Sequence, residues 1–255
     1  MRRLLPRPLL RICALTPLLG LWGAAAWADP GYYVVQPYDN EGLRTLDFRY
    51  WTVKPQGRVE AIWPEVGVGL GVTSRWTTEL FVSWIGSSRQ ATKPSSLNWQ
   101  NEFLLTQGEW PLDVALHLQW VRDAENSHQN SIEYGPVLQT DFGRWRLNGN
   151  VFFERAQGGS PAQPTQIKYQ WQMAYRLGPV LGLGAQGFGE LGRWNRWSPK
   201  ADQSNRAGPL ISGHWPLAAG PAGGRAQFTL QAALLVGQTY GSAGRMFSLR
   251  AHTDF

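Results

Sequence analysis

The side chains able to do chemistry in this chain stand at alternate positions instead of in clusters. Segment 113–121 sets Asp113 and His117 against Val114, Leu116, Leu118 and Trp120. Segment 144–154 sets Arg144, Arg146 and Glu154 against Trp145, Leu147, Val151 and Phe153. Segment 167–177 sets Lys168 and Arg176 against Ile167, Tyr169, Trp171 and Tyr175. Charges gathered on one wall can form a constriction that sorts solutes, or can pair across neighbouring strands and fill the space between them. Catalysis is a third use. His117 and His252 share the charged parity with Ser83, Ser212 and Ser248, but no Gly-x-Ser-x-Gly or comparable arrangement surrounds those serines. A lumenal histidine is more often a polar filler than a catalyst, and no enzymatic activity is expected. His128 sits in a polar stretch and reads as solvated. Metal chemistry lacks paired histidines, and the single cysteine, Cys13, falls in a segment expected to be removed, so neither a metal nor a cofactor is expected. The run Gly182–Gly189 has no following helix and no Lys-Ser/Thr, which excludes a phosphate loop.

What must position these residues is a set of strands, because side chains that alternate with period two lie on opposite faces of an extended chain. The alternation predicts strands over 45–54, 59–73, 76–86, 96–107, 111–122, 130–140, 144–155, 165–177, 179–193, 205–217, 225–238 and 245–255. Twelve is an even number, as a single-chain bacterial barrel requires. Tight connections are predicted near Ser74-Arg75, Gly108-Glu109, Phe142-Gly143 and Gly178, and long ones over 87–95, 123–129, 156–164 and 194–204. The longer turn 218–224 and the short outer loop at Pro55-Gln56-Gly57 are exceptions to that rhythm.

The ends of the chain place it in a compartment. Arg2, Arg3, Arg7 and Arg11 precede a short apolar stretch from Ile12 to Trp22, and Ala26-Trp27-Ala28 supplies a small-x-small cleavage pattern. Residues 1–28 therefore read as a cleaved signal peptide. The whole chain has 24 basic and 18 acidic residues; the signal takes four arginines and no acids, leaving 20 against 18, a net charge of +2. No basic run of the nucleic-acid-binding kind remains.

Alternation alone does not say which face is wet. A large soluble barrel would need its polar face outside, yet lysine is nearly absent from the predicted strands. Trp76, Trp110, Trp145, Trp215 and Phe255 fall at the expected periplasmic ends, and Trp84, Trp99, Trp120 and Phe247 towards the outer ends, all on the apolar parity. That is the aromatic girdle of a lipid-facing barrel. The last strand, with Phe247, Leu249, Ala251, Thr253 and Phe255 alternating with Ser248, Arg250, His252 and Asp254, resembles the C-terminal signal by which outer-membrane proteins are recognised for assembly. The resemblance implies the barrel-assembly machinery as a partner, beside outer-membrane lipid and lipopolysaccharide.

The expected fold is all-β: a transmembrane antiparallel up-and-down barrel over 45–255 in the bacterial outer membrane. Its expected lumen carries Asp47, Arg49, Glu79, Asp113, Arg144, Arg146, Arg176 and Asp254 towards the periplasm, and Glu133, Glu154, Lys168, Glu190 and Arg206 towards the outside. Glu65, Glu102, His117 and Arg250 share that face, and Gln170, Gln172, Gln227 and Gln231 narrow it. Mixed signs fit cross-strand pairing as well as a solute-sorting pore. Twelve strands lie between barrels that side chains fill and barrels that hold an open channel. Residues 29–44, which include Tyr32-Tyr33-Val34-Val35, read as a periplasmic tail or as a plug. The loop Arg193-Trp-Asn-Arg-Trp-Ser-Pro-Lys200 reads as an anionic lipid or glycan contact, or as an interfacial anchor with snorkelling arginines.

The run from Glu65 to Val82, a Gly-rich strand, a short turn and a strand opening on Glu79-Leu80, resembles a hairpin of the outer-membrane transporters associated with phenol meta-pathway degradation. It covers about eighteen residues and implies passage of small, even apolar, molecules. Passage of small solutes is thus the expected function, with a closed structural barrel and a lipid-modifying enzyme as the alternatives.

Overall fold

The computed structural model describes residues 32–37, 41–125, 130–158, 163–217, 226–239 and 241–255. The expected signal peptide, His128 and the turn 218–224 lie outside the described residues. The elements are β1 (Arg44–Pro55), β2 (Ala61–Thr73), β3 (Trp76–Ser87), β4 (Gln90–Leu104), β5 (Asp113–Asp123), β6 (Asn130–Phe142) and β7 (Trp145–Gln157). They continue with β8 (Gln166–Arg176), β9 (Leu181–Arg193), the two-residue β10 (Arg196–Trp197), β11 (Ser204–Pro216), β12 (Gln227–Thr239) and β13 (Ser242–Asp254).

Twelve long antiparallel strands close on themselves. β8 pairs with β9, and β1 pairs with β13 from Thr45 opposite Asp254 to Pro55 opposite Gly244. The seam is tied at its end by reciprocal backbone bonds of 3.0 Å between Arg44 and Phe255. Closure leaves no edge, which is what a solvent without hydrogen-bonding groups demands. Each long strand has 11 to 15 residues, enough for the roughly 9–11 that a tilted strand needs to cross a bilayer core.

The wall is inside-out relative to a soluble protein. Leu46, Phe48, Val66, Val68, Leu70, Leu80 and Val82 point outward and are exposed, whereas Asp47, Arg49, Glu65 and Glu79 are buried within. Apolar surface this continuous is stable only against lipid. β6 and β11 each carry a Gly-Pro step, Gly135-Pro136 and Gly208-Pro209, where pairing with β7 and β12 respectively is interrupted. A Cβ at Gly135 would stand 2.0 Å from the Val151 carbonyl oxygen, and one at Gly208 1.9 Å from that of Leu234. Glycine there permits a close backbone approach, and the proline costs one ladder donor.

Two connections differ from expectation. The loop expected over 87–95 is strand: β3 and β4 run on to Ser87 opposite Gln90. The Ser87 hydroxyl accepts the N–H groups of Arg89 and Gln90 at 3.2 and 3.0 Å, so a serine closes a turn that no Gly or Asn-Gly pair announced. Conversely, the tight turn expected at Gly108-Glu109 is an eight-residue connection over 105–112, held by Gly108 N–H on Asp113 Oδ1 at 2.8 Å and by Arg75 on Glu109 at 2.7 Å.

Candidate lumen site

Residues 32–37 lie inside the barrel as an extended segment whose side chains alternate between two walls. Tyr32 and Val34 pack with Trp51, Val53, Phe188, Leu210, Leu235 and Met246. Tyr33 and Val35 pack with Leu104, Ala115, Val137 and Phe152. The segment joins no strand ladder, and side chains of the wall bind three of its backbone groups. The Val35 N–H donates to Gln170 Oε1 at 3.1 Å, and Asn150 Nδ2 donates to the Val35 carbonyl at 2.9 Å. Ser248 Oγ donates to the Tyr32 carbonyl at 2.9 Å. A buried polar backbone group left without a partner costs about 1–3 kcal/mol, so these side chains are what allow the segment to sit there.

Around the segment runs a belt of charge drawn from nearly every strand. Arg49 of β1 binds Asp47 at 2.8 Å, Glu65 of β2 at 3.2 Å and Glu79 of β3 at 3.7 Å, and Arg250 of β13 shares Asp47 at 2.8 Å. The Arg49 guanidinium lies 3.4 Å from the Tyr33 ring centroid and 3.7 Å from that of Phe81. Phe81 has room because Gly67 faces it: a Cβ there would meet the ring at 2.1 Å. Gln100 donates to Glu79 and Glu102 at 3.2 and 3.1 Å and accepts a short hydrogen bond from the Tyr33 hydroxyl. His117 continues the belt with Nδ1 2.6 Å from Glu102 and Nε2 3.5 Å from Glu133, its ring against Phe152. Lys168 then bridges Glu133 at 3.6 Å and Glu154 at 2.6 Å. Across the lumen, Arg206 binds Glu190 at 2.9 Å and lies over the Tyr32 ring, whose hydroxyl also donates to Glu190. Together the belt and the segment fill the lumen at a waist.

Below the waist, at the end where Arg44 of β1 meets the C-terminal Phe255, the lumen opens. A cavity of about 500 Å³ is lined by Gln36, Pro37, Asp113, Asp141, Arg146, His214, His252 and Asp254. A second, of about 220 Å³, shares Gln36, Arg146 and His214 with it and adds Gln172, Arg176 and Ser212. This vestibule is polar and mixed in sign.

The expected lumen residues thus divide into three groups. Arg49, Glu79, Glu102, His117, Glu133, Glu154, Lys168, Glu190, Arg206 and Arg250 form the belt. Asp113, Arg146 and Arg176 border the vestibule, Arg176 donating to the Gly143 carbonyl at 2.8 Å. Arg144 is corrected: it stands exposed in the turn before β7, because that strand begins one residue later, at Trp145. On the outer wall Trp76 stacks on Phe103, and Trp145 and Trp215 pack against Tyr175 and Phe228. Trp99 pairs with Trp120 across β4 and β5, Trp84 is half-buried opposite a bulge of β4 at Ser95, and Phe255 is exposed at the seam. Trp110 stands in the 105–112 connection, beyond the strand ends. Sequence reasoning passed over Trp51, Phe81, Phe152 and Phe188, which face inward on the charged parity. Their signal was there: an apolar side chain on the wet parity, in a chain whose leader carries Tyr-Tyr-Val-Val.

A closed twelve-stranded wall, apolar outside and charged inside, places the architecture. The fold is that of an outer-membrane β-barrel. Among solved structures the chain is similar to an outer-membrane channel from Pseudomonas putida F1, with 14% identity over 89% of this chain and 99% of that one and a TM-score of 0.57. It is also similar to the NanC porin, with 8% identity over 82% of this chain and 98% of that one and a TM-score of 0.55. At these identities the likeness is one of fold. No protein-family model matches the chain, and no curated protein matches it.

Proposed function

We propose that the chain is an outer-membrane channel for small polar solutes whose lumen is closed at the waist by its own segment 32–37. The observation that carries this reading is the way the segment is held. It enters no ladder and rests on side-chain contacts, beside a polar vestibule of about 500 Å³. Such a plug leaves without unzipping any strand. The folds of the Pseudomonas putida channel and of the NanC porin support the same reading. The resemblance of Glu65–Val82 to phenol meta-pathway transporters adds small aromatic molecules as a solute class for the same assay. The reading is non-enzymatic: among the described residues His117 is held by Glu102 and Glu133, and no serine or threonine hydroxyl bonds to it. In the cell the barrel sits in the outer membrane among lipid and lipopolysaccharide, delivered through its C-terminal strand.

A second reading, a permanently closed structural barrel, is favoured by the mutual pairing of the belt charges. One experiment separates the two. The full mature chain is refolded into planar bilayers and compared with a variant carrying Tyr33→Ala and Val35→Pro. Proline removes the N–H given to Gln170, and alanine removes the ring over Arg49. The wild type is expected to show rare, small openings and the variant frequent, discrete, larger steps. A folded variant as silent as the wild type would sink the channel and leave the closed barrel.

A further inference from the structure

We propose that the waist is a binding site for short extended peptides, occupied in the resting protein by residues 32–37; this rests on reading that segment as a displaceable plug. The chemistry of the cradle is that of peptide recognition. Gln170 accepts from the backbone N–H of residue 35 and Asn150 donates to its carbonyl, so one residue is read by both of its backbone groups. Asn150 also donates to Gln170 at 3.1 Å, which fixes both amides in the orientation that a peptide group requires. Ser248 reads the carbonyl of residue 32 in the same way. None of these contacts depends on the ligand's side chains, which is how main-chain readout works in strand-addition complexes.

Specificity comes from two aromatic seats on opposite walls. One is made by Arg49, whose guanidinium lies over the Tyr33 ring and also over Phe81, and by Gln100 at the Tyr33 hydroxyl. The other is made by Arg206, Phe188 and Trp51 around the Tyr32 ring, with Phe188 edge-on at 5.5 Å and Trp51 at 6.4 Å. Adjacent residues of an extended chain point to opposite sides, so a peptide with neighbouring aromatic residues fills both seats at once. A single small aromatic molecule fills only one. Beyond the seats the lumen opens at Gln36 and Pro37 into the vestibule, which gives the ligand a path.

The segment competes in cis at an effective concentration in the millimolar range for a short tether, so the intact chain should mask the site. The test uses the full mature chain with Tyr33→Ala and Val35→Pro, folded in detergent micelles, and a fluorescent synthetic peptide Gly-Tyr-Tyr-Val-Val-Gln-Pro. Anisotropy reads binding without needing current, and current block in bilayers is the second readout. The peptide is expected to bind the variant at least about tenfold more tightly than it binds the wild type, where the native segment occupies the site. Adding Asn150→Ala to the variant weakens it by about tenfold, the loss of one good hydrogen bond. The peptide of reversed order, equal in composition, keeps neighbouring tyrosines but runs its backbone groups the wrong way past Asn150 and Gln170, and is expected to bind clearly more weakly. Absence of binding to the folded variant, or equal binding of the reversed peptide, overturns the proposal. A variant that binds peptide yet passes no current sinks the channel and keeps the site. One that conducts and ignores the peptide sinks the site alone.

Discussion

At the waist, Arg49 is 1% exposed and holds three carboxylates; in the vestibule, Arg146 is 35% exposed and holds one, Asp141. The two arginines sit on the same wet face of the same wall. What separates them is what fills the lumen beside them. Next to Arg49 the segment brings the Tyr33 ring and takes the water away, so charges there must be paired and hydrogen-bonded. Next to Arg146 the described residues of the segment, Gln36 and Pro37, border an open cavity of about 500 Å³ and leave its guanidinium partly exposed. A salt bridge is therefore a structural joint at one level of the barrel and little more than surface decoration at the next.

The comparison can be broken most forcefully at Arg49. Arg49→Met leaves Asp47, Glu65 and Glu79 short of a cation, and removing one partner from a buried charge cluster costs about 3–5 kcal/mol. Urea unfolding of the refolded barrel is expected to show that loss; an unchanged midpoint would mean that the waist is as wet as the vestibule. Lys168, 16% exposed and shared by Glu133 and Glu154, is intermediate. For Lys168→Met the expected loss in the same titration is about 1–3 kcal/mol, between the values for exposed and buried pairs.

Arg146→Ala should change stability by less than about 1 kcal/mol. Its effect belongs instead to conduction: in the plug-weakened variant, bilayer reversal potentials are expected to shift towards cation preference. A large stability loss there would erase the distinction between the two levels.

The smallest effect is expected in the 105–112 connection, outside the membrane. The Gln107 N–H, Glu109's own N–H and the Arg75 guanidinium hold the exposed Glu109 carboxyl below the usual carboxylate range. A depressed carboxylate adds stability above its unfolded pKa and loses it as pH falls through the folded value. Glu109→Gln should therefore lower stability slightly at neutral pH and leave the fully acid value unchanged, which flattens the acid limb between them. A large change at neutral pH would show that the connection, and not only the lumen, braces this end of the barrel.

Much of this molecule was legible in the sequence, and the reason is local. A strand's faces repeat every two residues, so Val114 to Trp120 or Ile167 to Tyr175 declare a wall without reference to anything distant. The belt charges all stand on the parity that the alternation marks as polar. Turns were read less well where their chemistry was unannounced: Ser87 closes a hairpin that looked like a loop, and the Asp113 carboxylate orders a connection that looked like a tight turn. The apolar lining was the larger omission. Phe81, Phe152 and Phe188 broke the wet parity one strand at a time, and each alone reads as noise.

Alternation, an even strand count and a girdle on one parity determined that the chain is a lipid-facing barrel with a charged lumen. Period-two patterning is a property of neighbours, and a bilayer admits only closed sheets. That residues 32–37 fill that lumen at the waist was decided by tertiary structure alone. Tyr33 meets Gln100 across 67 positions, and Ser248 meets Tyr32 across 216. A leader of two tyrosines and two valines is neutral between tail and plug until the curvature of the closed sheet brings Phe152, Phe188 and the paired amides of Asn150 and Gln170 around it. Only then does the space exist that the segment fills.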